Sequence, residues 1–262
     1  MYINIEKLRE ALKAFKGAMP FDHCVIDDFF DIETAKQLEQ EFLAYDNPKW
    51  FYYKNAIEDK KALNDWNAFP PLTYAVFSEL ISENITDILS DSLGTEVFRD
   101  AGLHGGGWHI HGPGGNLNPH LDYSIHPKLG LQRKLNIIIY LSSTIEEHHG
   151  GHLGFWSHDE KTSGPGELKT SFSPKFNRAV LFDTTQNSWH GLSNPLVQPE
   201  GIYRKSFAVY YLIEPKGNVD TRQRALFAPR EEQRTDESVQ ALIRTRADAQ
   251  AFAKAYRTDT TT

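Results

Sequence analysis

Two residues apart, His120 and Asp122 sit just beyond the glycine-rich stretch Gly112-Pro113-Gly114-Gly115. On an extended backbone such a spacing points both side chains the same way. A second imidazole, His190 in Trp189-His190-Gly191, comes from a distant extended segment. Two imidazoles and one carboxylate on one face of a metal suit non-haem Fe(II), because they leave positions open for other ligands. Arg204 begins the strongest strand pattern in the chain, Arg204-Lys205-Ser206-Phe207-Ala208-Val209-Tyr210-Tyr211-Leu212. It would hold an anionic co-substrate beside the metal through a planar, permanently charged fork. Ser206, on the same side of that strand, would add a hydroxyl. Lys205 is its rival, but has the opposite parity.

A lone His-x-Asp means little in a chain with 11 His and 35 acidic residues. Order and context carry the reading: His190 follows the apolar run Arg178-Ala179-Val180-Leu181-Phe182-Asp183, and Arg204 opens the next strand. Competing clusters lie in polar turns. His148, His149 and His152 flank Gly150-Gly151, and His158 precedes Asp159-Glu160; they read as solvated loop residues. His109 and His111 alternate before the glycine turn and face either a pocket or solvent. Trp156 and Arg133 are further candidates.

The elements that must position these groups change character along the chain. Ile5, Leu8, Leu12 and Phe15 repeat at helical spacing, and Cys24-Val25-Ile26-Asp27 reads as a short strand. Asp31 caps a helix carrying Ala35, Leu38 and Phe42. Two more helices follow, one entered at Pro71 and one running from Ser82 to Gly94. Between them, Trp50 to Phe69 crowds aromatics among charges, which suits either a surface loop or a lid over a ligand. From Glu96 the pattern becomes short extended runs at about 96–101, 106–111, 119–123, 133–142, 152–157, 167–173, 178–183, 187–192 and 203–213, with Gly164-Pro165-Gly166 among the turns.

About eight antiparallel strands in two sheets suit a jelly roll whose mouth holds a small ligand. A last helix is expected from Asp236 with Val239, Leu242, Ile243, Ala249 and Phe252, its Arg244, Arg246 and Arg257 facing solvent, and the tail from Thr258 to Thr262 is expected to be disordered. The expected fold is mainly β with flanking helices: a single domain over 1–262 with a helical N-terminal layer (1–95), a jelly-roll core (96–214) and a C-terminal extension (215–262).

Composition is that of an ordinary globular protein, 40% hydrophobic and 24% charged, with net charge -7. The acidity argues against nucleic acid as a partner. With Cys24 as the single cysteine, neither an intrachain disulfide nor a thiolate metal cluster can form. The N-terminus lacks the apolar core of a signal peptide, and no run is long enough to span a bilayer. A cytoplasmic protein is expected, with no membrane partner; the last helix packs against the sheet or against a second subunit, which leaves room for a homodimer.

From about Phe98 to Leu212 the sequence resembles the 2-oxoglutarate- and Fe(II)-dependent dioxygenases, most of all their prolyl-4-hydroxylase-like branch. The family pattern of His-x-Asp, a distal His and a basic residue opening the following strand falls on His120, Asp122, His190 and Arg204. The connection Asn194 to Gly201 is longer than in many relatives. The resemblance implies iron held by the first three residues and 2-oxoglutarate held by Arg204. It further implies O₂ as oxidant, ascorbate as an auxiliary reductant, and succinate and CO₂ as co-products.

Relatives carry a tyrosine where Tyr140 falls, which suggests a further donor to the co-substrate carboxylate; an ordinary core tyrosine is the alternative. Asn136 and Ile138 share its strand face. Halogenating relatives lack the carboxylate ligand, so Asp122 favours hydroxylation, with desaturation and epoxidation left open. The substrate expected is a small molecule, an amino acid or peptidyl proline, and the motif does not choose among them. A non-catalytic jelly-roll binding protein is the competing hypothesis.

Overall fold

The computed structural model describes residues 1–217, 219–248, 250–251 and 255–256. Among the described residues, five α-helices and fourteen strands follow one another. The first half holds α1 (Ile5–Leu12), β1 (His23–Asp27), α2 (Ile32–Glu41), β2 (Phe51–Lys54), β3 (Glu58–Leu63), α3 (Pro71–Leu80), α4 (Glu83–Leu93), β4 (Phe98–Arg99) and β5 (Gly107–His111). After these come β6 (Asn116–Leu117), β7 (His120–Leu121), β8 (Gln132–Tyr140), β9 (Leu153–Asp159), β10 (Gly164–Phe172), β11 (Arg178–Asp183), β12 (Trp189–Leu192), β13 (Arg204–Ile213), β14 (Leu226–Phe227) and α5 (Glu237–Ala247).

The strands form two antiparallel sheets. The larger runs β1-β11-β8-β13-β5-β3-β2, with β4 added to β13 and β6 to β3; the smaller runs β10-β9-β12-β7-β14. This is the expected jelly roll with flanking helices.

Strand alternation divides the larger sheet between two environments. On β13, Phe207, Val209 and Tyr211 pack into the main apolar core with Leu38 of α2, Phe77 of α3 and Ile88 of α4. Phe77 stacks on Phe207 at 4.6 Å and Phe42 on Trp108 at 4.9 Å. Each such pair adds about 0.5–1.5 kcal/mol beyond its buried area. The helices therefore back the sheet, and Arg204, Ser206, Ala208 and Tyr210 are turned to the interior between the sheets, where they line a cavity.

The helix signals read from sequence have physical counterparts. The Asp31 carboxylate accepts from the Glu33 and Thr34 amides, and Asp236 does the same for Ser238 and Val239. Gly94 ends α4 in the left-handed conformation. Ser82 occupies its N-cap position but makes no side-chain capping bond.

Several expectations need correcting. The 1–95 segment is more than a helical layer: β1 edges the larger sheet, and β2 and β3 extend its other end. The 50–69 stretch contains that β2–β3 hairpin, whose alternating charges and aromatics concealed its pairing. The run expected at 96–101 is a two-residue strand. The turn between β9 and β10 lies before Gly164, which already pairs with Asp159. The last helix ends at Ala247, and Ala249, Phe252, Arg257 and the tail from Thr258 lie outside the described residues. Its Val239 and Ile243 pack on Ile57 and on Phe227 of β14 within the same chain. No described helix is long and apolar enough to cross a membrane.

Candidate functional site

His190 on β12 pairs directly with His120 on β7 across the smaller sheet, so the two imidazoles project side by side, their ring centroids 4.3 Å apart. Asp122 follows β7 on the same side, as its two-residue spacing from His120 requires. Its Oδ1 lies 3.9 Å from His120 Nε2 and its Oδ2 lies 3.7 Å from His190 Nε2. One ligand atom from each of the three residues lies within 4.8 Å of the others. Close strand approach is required here, because a Cβ at Gly191 would stand 2.6 Å from the Asn118 carbonyl oxygen.

Backbone carbonyls set the imidazole tautomers. His120 Nδ1 is 3.0 Å from the Asn118 oxygen, and His190 Nδ1 is 2.9 Å from the Ser188 oxygen. Each Nδ1 carries the proton it donates, so each Nε2 offers a lone pair to the centre. Burial, followed by the neighbouring imidazole, holds His120 well below its ordinary pKa, and burial lowers His190 against the pull of Asp122. Burial opposes ionisation of Asp122, but the charge of Arg133 leads the groups that outweigh it, and its carboxyl lies below the ordinary range. Two neutral imidazoles beside an ionised carboxylate are the protonation states a divalent metal needs. Asp122 Oδ2 is buried with no hydrogen-bond partner. The donor set and this unpartnered oxygen fit a single divalent ion.

Asp122 has two neighbours that sequence reasoning did not assign to it. Arg133 Nη1 lies 3.4 Å from Oδ1, and the Tyr210 hydroxyl donates to the same oxygen at 3.4 Å. Tyr210 shares strand parity with Arg204 and Ser206, so that signal was present in the sequence. Arg133 was concealed by an irregularity: Tyr211 pairs with Leu135, but Leu212 pairs with Arg133, skipping Lys134. The slip turns Arg133 toward the cavity and leaves Lys134 to pair with Asp183.

Arg204 is 3% exposed and lines the same cavity as the three clustered residues. Its Nε donates to the Gly151 carbonyl at 2.9 Å. The long connection before it folds back, with Leu196 pairing through its backbone to Gly114 and Gly115, so Arg204 keeps its place at the start of β13. Lys205 points the other way, to the Glu39 carbonyl at 3.1 Å. Ser206 and Asn136 line the cavity, and Asn136 Oδ1 is buried without a partner. Tyr140 is fully buried in a second apolar cluster, its ring 4.9 Å from the Arg204 guanidinium carbon and its hydroxyl unpartnered.

The cavity has a volume of about 350 Å³. Both His109 and His111 line it, and so do Phe51, Tyr53, Glu58 and Lys60, which makes the hairpin a wall of the site, while Trp50 and Phe69 of the same stretch are buried in the main core. The C-terminal extension supplies a facing wall through Phe227 and Arg246. Arg246, expected on a solvated face, instead donates to buried Glu58 at 2.9 Å, and the Tyr256 hydroxyl donates to the same oxygen.

The other histidines stay apart from the cluster. His148 is exposed. Contrary to expectation, His149 is buried, its Nδ1 accepting from the Glu146 amide. His152 Nε2 meets the Glu147 carbonyl, and His158 accepts from Trp189 Nε1. Trp156 packs in a separate apolar cluster beside Trp189.

Residues 106–212 match the model of the 2OG-Fe(II) oxygenase superfamily. None of the curated proteins matches the sequence. Among solved structures, the fold is similar to a prolyl-4-hydroxylase from Pseudomonas putida, with TM-score 0.56, 13% identity, and 78% of this chain and 99% of that one covered. It is also similar to a Trichoplax adhaerens prolyl hydroxylase solved with a peptide fragment of the hypoxia inducible factor oxygen degradation domain, with TM-score 0.56, 14% identity, and 80% and 92% covered. A prolyl 4-hydroxylase from Phytophthora capsici is similar at TM-score 0.56 and 19% identity, with 95% and 77% covered. At these identities the likeness is one of fold, and the family match falls on the segment that carries the clustered histidines and aspartate.

Proposed function

We propose that the chain is a 2-oxoglutarate- and Fe(II)-dependent dioxygenase, a reading supported by the superfamily match over residues 106–212, and that it hydroxylates an unactivated C–H bond of a small-molecule or peptide substrate. His120, Asp122 and His190 hold the iron in this reading, and Arg204 holds the distal carboxylate of 2-oxoglutarate. The observation that carries it is the buried convergence of two Nε2 atoms and one carboxylate, with the tautomers fixed by Asn118 and Ser188.

When bound, iron with 2-oxoglutarate and O₂ supplies the oxidising power that replaces C–H by C–OH, the keto acid leaving as succinate and CO₂. The protein's own part is orientation. Arg204, buried away from bulk water, meets a carboxylate where a bidentate pair is strong. Ser206 and Tyr140 are the neighbouring hydroxyls for that anion, and the otherwise unpartnered Tyr140 hydroxyl gains an acceptor there. Asn136 pairs with Tyr210, level with Asp122, and serves the other end of the keto acid. Arg133 and Tyr210 fix the Asp122 carboxylate, and the hairpin and C-terminal walls limit access of water. Asp122 keeps the carboxylate position filled, which supports hydroxylation over halogenation. No feature favours the binding-only alternative.

Incubating the purified chain with Fe(II), ascorbate, O₂ and labelled 2-oxoglutarate tests the proposal. Labelled succinate is expected, even without substrate; no succinate and no binding of the keto acid would refute it.

A further inference from the structure

We infer that the substrate carries a carboxylate and that Lys60 binds it, at a second anion position beside the one proposed for 2-oxoglutarate. The inference rests on Arg204 serving the keto acid.

Register places the two positions side by side. Arg204 pairs with His111, Lys61 with Ile110 and Ala62 with His109, which sets Lys60 level with His111; Tyr53 pairs with Lys60 in turn. Paired residues project to the same face, so Arg204, His111, Lys60 and Tyr53 form one row across four strands, and all four line the cavity. Lys60 and Arg204 are two strand spacings apart, about 10 Å between Cα atoms. That separation suits two different anions better than one. His111 stands between them, 2% exposed, with neither ring nitrogen hydrogen-bonded. It is neutral, since burial and then the charge of Arg204 hold its pKa well down. A neutral imidazole can donate one hydrogen bond to an anion on either side.

Charge points the same way. Lys60, Arg133, Arg204 and Arg246 line the cavity against the carboxylates of Glu58 and Asp122. Arg133 is joined to Asp122 and Arg246 to Glu58. Two positive charges on iron and two negative ones on 2-oxoglutarate leave the balance unchanged, so the loaded cavity remains cationic. The Lys60 ammonium lies 5.3 Å from the Tyr53 ring centroid. Among the described residues, no carboxylate comes within ion-pair distance of it. The ring steadies the cation but does not neutralise it. Lys60 is half-buried, a cation without a counter-ion is costly in proportion to its burial, and an incoming carboxylate removes that cost.

A cavity of about 350 Å³ is at the small end for ligand sites and must also admit the keto acid. One lysine and one neutral imidazole match a monoanionic carboxylate better than a phosphate dianion. The carboxylate could belong to a free small acid or to an acidic residue of a peptide.

The test uses the full chain loaded with Mn(II) and 2-oxoglutarate, so that binding is read without turnover. L-Amino acids, their N-acetyl forms, their C-terminal amides and short peptides with one internal Asp or Glu are screened by thermal shift and quantified by calorimetry. Carboxylate-bearing compounds should bind, and neutralising the carboxylate should weaken binding about tenfold or more, the scale of one charge-assisted hydrogen bond. Lys60→Met should lose a similar factor and Lys60→Arg should retain most of the affinity, with keto-acid affinity changed by less than about threefold in both. Selection of free acids over peptides, or the reverse, identifies the source.

Binding of neutral amides as tightly as acids, binding of no carboxylate at all, or full binding by Lys60→Met would overturn the inference. So would loss of 2-oxoglutarate binding in Lys60→Met to the degree seen in Arg204→Ala, because Lys60 would then belong to the keto-acid site. If the wild-type chain with Mn(II) fails to bind 2-oxoglutarate, the functional reading falls, and this inference falls with it.

Discussion

Replacing Arg133 with methionine removes one charge from the network behind Asp122 and keeps most of the side-chain length. The guanidinium is 2% exposed, 3.4 Å from Asp122 Oδ1, and donates through Nη2 to the His104 carbonyl at 2.6 Å. Its carbon lies 3.4 Å from the Tyr123 ring centroid and 3.3 Å from that of Tyr210. No second cation is available from His104, since burial and then Arg133 itself hold that imidazole down to about 4.

Two unit charges at 3.4 Å interact by roughly 5 kcal/mol at an effective dielectric near 20. Breaking a buried pair from one side costs about 3–5 kcal/mol, because the remaining charge is uncompensated. Against a typical net stability of about 5–15 kcal/mol, that is a large fraction. For a chain of this size it corresponds to a fall in Tm of about 6–20 °C. Thermal unfolding of metal-free wild type, Arg133→Met and Arg133→Lys, each repeated with Mn(II), reads this directly. Metal should recover part of the loss, because a divalent cation compensates the same carboxylate, and lysine should be milder than methionine. A metal-free Arg133→Met protein melting within about 2 °C of wild type would refute the assignment of Arg133 as the counter-ion of Asp122.

Two further outcomes follow from the same geometry. Arg204→Ala should weaken 2-oxoglutarate binding to the Mn(II)-loaded protein by about 10- to 100-fold, the loss of a charge-assisted pair, while metal affinity is retained; calorimetry separates the two, and metal loss with unchanged keto-acid affinity would reverse the roles. At the far edge of the larger sheet, hydrogen bonds from Arg178 and Lys175 hold Asp27 down to about 2 against the effect of burial. Because the folded pKa is the lower one, this stabilisation is complete above the ordinary carboxylate value near 3.8 and is lost as pH falls toward 2. Asp27→Asn should therefore lower stability slightly at pH 7, by under about 1 kcal/mol for a partly exposed pair, read as a small fall in Tm that shrinks across that acid window.

Much of the fold was legible because apolar alternation and helix caps act locally. The run from Arg204 to Leu212 reads as a strand from its own pattern, and its parity separates Arg204 from Lys205. His120 and His190 were legible as a pair only through order along the chain, since their adjacency depends on β7 pairing with β12. Arg133 was obscured by the skipped residue at Lys134, which defeats any count of two. The hairpin β2–β3 was read as loop or lid because Lys54, Asp59, Lys60 and Lys61 look solvated, yet Lys60 and Glu58 face a charged cavity instead of water. Arg246 was misplaced for the same reason: a helix face rich in arginine looks solvated until Glu58 is found buried beneath it. Tyr140 shows a further gap, since parity fixes the face a side chain takes and says nothing of its depth.

The most direct test is an anaerobic calorimetric titration of metal-free protein with Fe(II) and then with 2-oxoglutarate, in wild type and in His190→Ala. One ferrous ion per chain, with tight keto-acid binding only after metal and both lost in the variant, is the predicted result. Metal binding that survives loss of His190, or keto-acid binding indifferent to metal, would contradict the account.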